Sequence, residues 1–233
     1  MLIAASRSLS AIPSLRAKPL LEAERPALPL RLRAIDEVLP EGGLPRAAVI
    51  EIAAPRGLAR ATSLGLAACA SAQAEARRCG TERTEGAWCA WIDPSETLFA
   101  PAAAAADVDL TRLLVIRPPP EALARVAVRV AASHAFAVIV IDVTGVPGSR
   151  TAYERMDRWP NVVRRLALAI EDTDTSIVLL TDARAARSFP LPVAMRLEID
   201  RPSIDRMVLR VAKDRRGRVS AAASIAISRA KSA

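Results

Sequence analysis

The residues best placed to do chemistry lie where apolar runs give way to loops. The first such run, AVIEIA at 48–53, continues through PRGLAR into a segment of helical composition. A strand–loop–helix junction of this kind is where an α/β sheet holds a phosphate, because backbone N–H groups and a helix N-terminus converge there. A working phosphate loop reads G-x-x-x-x-G-K-[ST]: glycines let the backbone wrap the phosphates, lysine neutralises them and the hydroxyl holds magnesium. On that frame Ala54 and Ala59 stand for the glycines, Arg60 for the lysine and Ala61 for the hydroxyl residue. Gly57 lies inside the loop and Thr62 comes one place late. Each alanine Cβ crowds a conformation that glycine tolerates best. Arginine is a planar fork rather than a compact ammonium, and alanine offers a metal no oxygen. The loop is therefore expected to bind no cofactor and no metal and to supply no catalytic residue.

Other reactive side chains are few. The single histidine, His134, sits just before an apolar run and reads as a helix-end residue, so no Ser/His/Asp or Cys/His set can be assembled. Cys69, Cys79 and Cys89 are odd in number and form no CxxC pair, which favours buried thiols in a reducing cytoplasm over disulfides or zinc. Positive charge is plentiful: 33 basic residues face 25 acidic ones, giving +8, and only Lys18, Lys213 and Lys231 are lysines. Arg56 and Arg60 flank the loop, and Lys213, Arg215, Arg216 and Arg218 surround a Gly-containing turn. With Arg184 and Arg187 they form a candidate surface for DNA or an acidic partner. The turn holds no aromatic residue on which bases would stack, so DNA contact there would be weak and non-specific.

Elements that position these residues can be read from periodicity. Apolar runs at 48–53, 88–93, 112–118, 136–143 and 175–182 are short and nearly continuous, as parallel strands covered on both faces are. Helical segments at 60–78, 121–132 and 155–170 alternate with them. The tail changes to period two at 195–200, 206–213 and 219–228, with DRRGR as the turn between the last two. The expected fold is thus α/β, a doubly wound and mostly parallel sheet with helices on both faces and antiparallel strands at the C-terminal edge. Trp159 is left open between a surface anchor and a core plug. At 233 residues, with 52% hydrophobic composition, the chain suffices for one core domain, assigned to 31–233. Residues 1–30 read as a separable arm for oligomerisation or partner binding, with Leu15, Leu20 and Leu21 among basic residues. No uncharged stretch reaches the roughly 20 residues that cross a bilayer, and the N-terminus, with arginine and proline in its apolar part, is a poor signal peptide. A cytoplasmic protein without a membrane partner is expected.

The order of these segments resembles the RecA recombinase core over about four-fifths of the chain. LPEGGLPRAAVIEI (39–52) is similar to that family's approach to its phosphate loop, and WIDPSETLFAPAAAAADVDLTRLLVIRP (91–118) to its next strand, helix and strand. FAVIVIDV resembles its acid-bearing strand, with Asp142 in the place of the acid that organises magnesium, and SIVLLTDAR (176–184) its nucleotide-sensing strand. Departures run alongside. The family's catalytic glutamate falls on Ser95, with Glu96 one place along, and its coupling glutamine falls on Asp182. Its cross-subunit lysines fall near Lys213 and Arg215, both DNA loops are short, and the C-terminal DNA-gathering domain is missing. A small, degenerate RecA-like chain with GGLPR is similar to the ImuA family. That resemblance implies a non-catalytic accessory of SOS-induced DNA damage tolerance and mutagenic translesion synthesis. It would bridge an ImuB-like polymerase homologue and an error-prone polymerase to RecA or DNA, and self-association is a further expectation. Two alternatives remain: a divergent ATP-dependent recombinase using Arg60, Thr62, Glu96 and Asp142, and an SOS cell-division inhibitor.

Overall fold

A computed structural model describes residues 25–55, 61–78, 87–143, 159–184 and 190–226. Eight strands form one sheet: β1 (Ala48–Ala54), β2 (Cys89–Ile92), β3 (Leu113–Ile116), β4 (Val138–Asp142), β5 (Ser176–Asp182), β6 (Met195–Ser203), β7 (Arg206–Asp214) and β8 (Ala223–Ala226). Their order is β3-β2-β4-β5-β1-β6-β7-β8. β1 to β6 run parallel, and β7 and β8 complete the sheet antiparallel. The helices are α1 (Arg33–Asp36), α2 (Ala61–Arg78), α3 (Ala100–Ala105), α4 (Leu123–Ala132) and α5 (Trp159–Ala169).

Side-chain alternation along the strands divides the core into two layers. On one face Ile50, Ile52, Val140, Val178, Leu180 and Leu197 pack with α2 and with Leu28 and Leu44. On the other, Val49, Ile139, Ile141, Ile177 and Leu179 pack with α4 and α5. Helix α4 shows how the sequence chooses its face: Leu123, Ala127 and Ala131 recur every four residues and are buried, while Arg125 and Arg129 stay exposed. Trp159, open in the sequence, is a core residue at 5% exposure. His134 follows α4 at φ 54, and its Nε2 donates to the Ala169 carbonyl at 2.9 Å, a helix-end role as expected.

The core reaches back into the segment expected as an arm. Leu28 and Leu30 are buried, and Leu28 and Leu44 exchange two backbone hydrogen bonds of 2.8 Å. Gly42 turns the chain at φ +67, and a Cβ on Gly43 would lie 2.4 Å from the Leu28 carbonyl oxygen. The GGLP turn is thus a close backbone crossing that admits no side chain. Residues 1–24, with Leu15, Lys18, Leu20 and Leu21, lie outside the described residues.

Two expectations are corrected. β3 is not covered on both faces: among the described strands it pairs only with β2, and Leu114 and Val115 are 43% and 38% exposed. An unbroken apolar run does not distinguish an edge strand from a central one, because both tolerate the same residues. The last strand is shorter than 219–228, since residues 219–222 are irregular and Val219 is exposed. Among the described residues, no helix is long and apolar enough to cross a membrane.

Candidate functional site

The ends of β1, β2, β4 and β5 form one edge of the parallel sheet, where register sets Ala54 beside Asp182 and Ile92 beside Ile141. Three carboxylates meet this edge. Asp93, fully buried just past β2, accepts from the Leu98 N–H at 2.8 Å and from the N–H and hydroxyl of Thr97 at 3.1 and 3.3 Å. Its oxygens are spent on closing their own loop. Asp142, last in β4, is 7% exposed. Asp182, last in β5, accepts from the Arg184 N–H at 2.8 Å.

Ala54 and Ala61 bound the expected phosphate loop and are both buried, at 4% and 8% exposure, so their methyl groups face protein. Thr62 is exposed on the first turn of α2. Arg56, Gly57, Ala59 and Arg60 lie outside the described residues, as do Cys79 and Arg187. Ser95 is half-buried, and Glu96 is exposed at φ 56 on the turn closed by Asp93. Among the described residues, no group of three or more His, Cys, Asp or Glu is arranged to hold a metal. Cys69 and Cys89 are buried neighbours, with the Cys89 thiol 3.7 Å from the Cys69 carbonyl. The hydrogen bond to Cys89, together with burial, pushes the Cys69 thiol well above its usual range, which favours the protonated thiol.

Of the basic candidates among the described residues, Arg184 and the 214–218 turn stand apart. Arg184 follows β5 at the Ala54 level, whereas the 214–218 turn follows β7 at the level of Met195 and Ile50. Four residues along the strands and three strands across separate them, roughly 20 Å. Sequence order carries no information about this, because β7 runs against β6. The turn's arginines are also engaged. Glu41 accepts from Arg216 at 2.6 Å and from Arg218 at 2.8 Å, and Asp214 accepts from the Arg218 side chain at 3.1 Å. Lys213 donates to the Leu191 carbonyl at 3.3 Å. Arg215 is exposed, with no ion pair among the described residues. Of the described members of this set, then, Arg215 and Arg184 present the available charge, on opposite edges.

Asp214 carries a pH signature. Burial alone would raise its carboxyl, but hydrogen bonds from the Arg218 side chain and from the Arg218 and Arg216 N–H groups hold it below the usual carboxylate range. A depressed value contributes stability that is complete above the unfolded value of about 4 and is lost as pH falls through the lower folded value. Urea unfolding should therefore show Asp214→Asn less stable than the parent near pH 6, with the gap narrowing towards pH 2. A gap independent of pH would show that the carboxylate's charge is not what the turn uses.

Sequence reading missed Glu51. It lies inside β1, fully buried, and accepts from the Thr181 hydroxyl at 2.7 Å. Arg196 Nη1 on β6 is 3.6 Å from its second oxygen, Arg196 also pairs with Glu198 at 3.2 Å, and Glu198 pairs with Arg210 on β7. The signal was a lone acid in an otherwise apolar run.

The fold and this edge define an α/β protein with a mostly parallel sheet and an aliphatic frame where a phosphate loop would begin and end. No protein-family model matches the chain, and no curated protein matches it.

Proposed function

We propose that this chain is a RecA-like accessory protein without catalytic activity, acting in SOS-induced damage tolerance and translesion synthesis. The observation that carries this reading is the combination of a sheet order compatible with a RecA-like core and buried alanines at both ends of the expected loop. An ATP-binding relative would need glycine at the first of these positions and a metal-binding hydroxyl at the second. The acid-bearing edge supports the same reading. Asp93 is consumed by its own loop, and among the described residues the strand ends there carry exposed Arg184 after β5 and exposed Arg117 after β3. A second feature supports a binding role. β3 leaves one strand edge unpaired by the sheet, with Leu110, Leu114, Val115 and Trp88 exposed on or near it, and such an edge suits pairing with another chain. By resemblance the partners are an ImuB-like polymerase homologue, RecA and a second copy of the chain, with weak non-specific DNA contact through the separated arginines.

Calorimetry of the full chain tests the reading. Titration with magnesium ATP, with and without single-stranded DNA, is expected to give no saturable heat, while an ImuB-like homologue is expected to bind. Micromolar ATP binding would make the divergent recombinase the better account. Filamentation of cells overexpressing the chain without the polymerase partners would favour the division inhibitor.

A further inference from the structure

Helices α4 and α5 cover one face of the sheet side by side. Leu123, Ala127 and Ala131 of α4, and Trp159, Val163 and Leu166 of α5, are turned inward and buried. At about 100° per residue, Arg125 and Arg129 then fall opposite the buried stripe of α4, and Arg164 and Arg165 flank the outward line of α5. All four are exposed. Both helices lead into neighbouring parallel strands, and His134, just past α4, bonds the carbonyl of Ala169, the last residue of α5. Arg129 and the Arg164–Arg165 pair, each about one turn before those ends, therefore stand level on helices whose axes lie about 8–10 Å apart.

Helix stability does not account for this pattern. Arg125 lies in the first turn of α4, where the positive end of the helix dipole disfavours a cation. Arg125 and Arg129, four residues apart, repel each other across one turn. Arg164 donates to Asn161 at 2.9 Å, but Arg125, Arg129 and Arg165 have no ion pair among the described residues. Neither helix contains an acid. The acids of this layer stand at its ends: Glu121 precedes α4, and Glu171, Asp172 and Asp174 follow α5, where Arg25 pairs with Asp174. The nature of the surface selects the occupant. A protein partner needs an apolar anchor at the centre of its interface, and a membrane needs apolar side chains to enter it. Among the described residues of these helices, Leu168, at the end of α5, is the one large hydrophobic side chain that stands exposed. Neither helix exposes an aromatic ring for a single strand's bases to stack on, since Trp159 is buried. A duplex asks for neither. It presents one phosphate charge per about 1.7 Å of length, and arginine forks meet phosphate oxygens without reading bases.

We propose that the α4–α5 face binds the phosphate backbone of duplex nucleic acid without reading its sequence. The site lies on a layer of helices rather than at the strand ends that carry Arg184 and Arg215, and the inference does not depend on the RecA-like reading. Fluorescence anisotropy of the full chain with a fluorescein-labelled duplex of about 20 base pairs, in DNA and in RNA form, tests it. The expected Kd is on the order of micromolar at about 50 mM salt, and the tighter of the two duplexes names the source. With four phosphates met, log K should fall against log salt with a slope of about −3.6. Arg125→Ala with Arg129→Ala should weaken binding about tenfold or more and bring the slope to about −1.8. Arg77→Ala with Arg78→Ala, an equal charge change on exposed residues at the end of α2 across the sheet, should leave both unchanged. Equal losses in the two double variants, an unchanged slope in the α4 variant, or no binding up to about 100 μM overturns the proposal. So does tighter binding of a single strand, of a polyglutamate peptide, or of phosphatidylcholine vesicles with about 30% phosphatidylserine than of either duplex.

Discussion

Replacing Arg196 with leucine is expected to destabilise the protein by about 2–3 kcal/mol, a fall in Tm of roughly 4–12 °C for a chain of this size. Glu51 is fully buried in the central strand, and the guanidinium of Arg196 is a basic group that approaches it, at 3.6 Å. Removing one partner of a buried pair costs about 3–5 kcal/mol, because the remaining charge has lost its compensation and cannot reach water. Arg196 keeps 23% side-chain exposure and stands beyond hydrogen-bond distance of Glu51, so solvent screening brings the expectation down to or below the bottom of that range. The two partners are not equivalent. Glu51→Gln leaves Arg196 free to lean on Glu198, to which it is already bonded, and leaves the Thr181 hydroxyl an amide oxygen to donate to. That change should cost only about 1 kcal/mol. The double variant should recover much of the Arg196→Leu loss. Urea unfolding of all four proteins measures the coupling directly, and additive effects would show that the buried carboxylate is compensated elsewhere.

A second large effect centres on Trp91 and Gly65. Trp91 is 1% exposed and is the largest fully buried side chain of the described core. Its ring edge lies against α2 at Gly65, where a Cβ would be 3.0 Å from Cη2, 3.3 Å from Cζ3 and 3.3 Å from Val140 Cγ1. Trp91→Ala should cost about 4 kcal/mol through lost burial and the cavity left behind. Gly65→Ala is the more informative change, because two terms of opposite sign meet there. Alanine is worth up to about 1 kcal/mol over glycine in a helix, whereas pushing a methyl into a packed ring costs about 1–3 kcal/mol. The ring is rigid and walled in, so packing wins and the single variant should lose about 1 kcal/mol. In a Trp91→Leu background the obstruction is gone and the same substitution should gain about 1 kcal/mol. A sign reversal between backgrounds confirms that Trp91 dictates the glycine; equal effects in both would sink the explanation.

Glu51, Trp91 and the arginine turn mark where the sequence was legible and where it was not. Strands and helices could be read because their signal is local. The run at 136–143 is apolar but for Asp142, and Leu123, Ala127 and Val130 recur at helical spacing, although the structure buries Ala131 in place of Val130. The change to period two after residue 195 likewise announced the antiparallel strands. What escaped was lateral. Nothing within LLVI says that β3 is the last strand of the sheet, so the exposure of Leu114 and Val115 went unseen. The acid in AVIEIA passed as a blemish in a strand because its compensating base stands about 145 residues later, on a neighbour that only the sheet order reveals. The candidate site was half legible. Ala54, Ala61 and Asp142 fall where the spacing put them, at strand or helix ends facing one edge. The separation of Arg184 from the 214–218 turn could not be read, since charge lists have no geometry and Glu41 lies some 175 residues from the turn it holds.

The position of β1 also bears on when this protein can fold. Among the described strands its neighbours are β5 and β6, so β1 pairs with segments that come much later in the chain, beginning at Ser176 and Met195. Until those segments leave the ribosome, the apolar β1 has no strand to pair with, although the alanine-rich helix after it can pack on β2 and β4. Such long-range closure slows folding and leaves apolar surface uncovered in the meantime. A nascent chain arrested before β6 would therefore present β1 with an open side, making late synthesis the stage at which the protein most depends on chaperones.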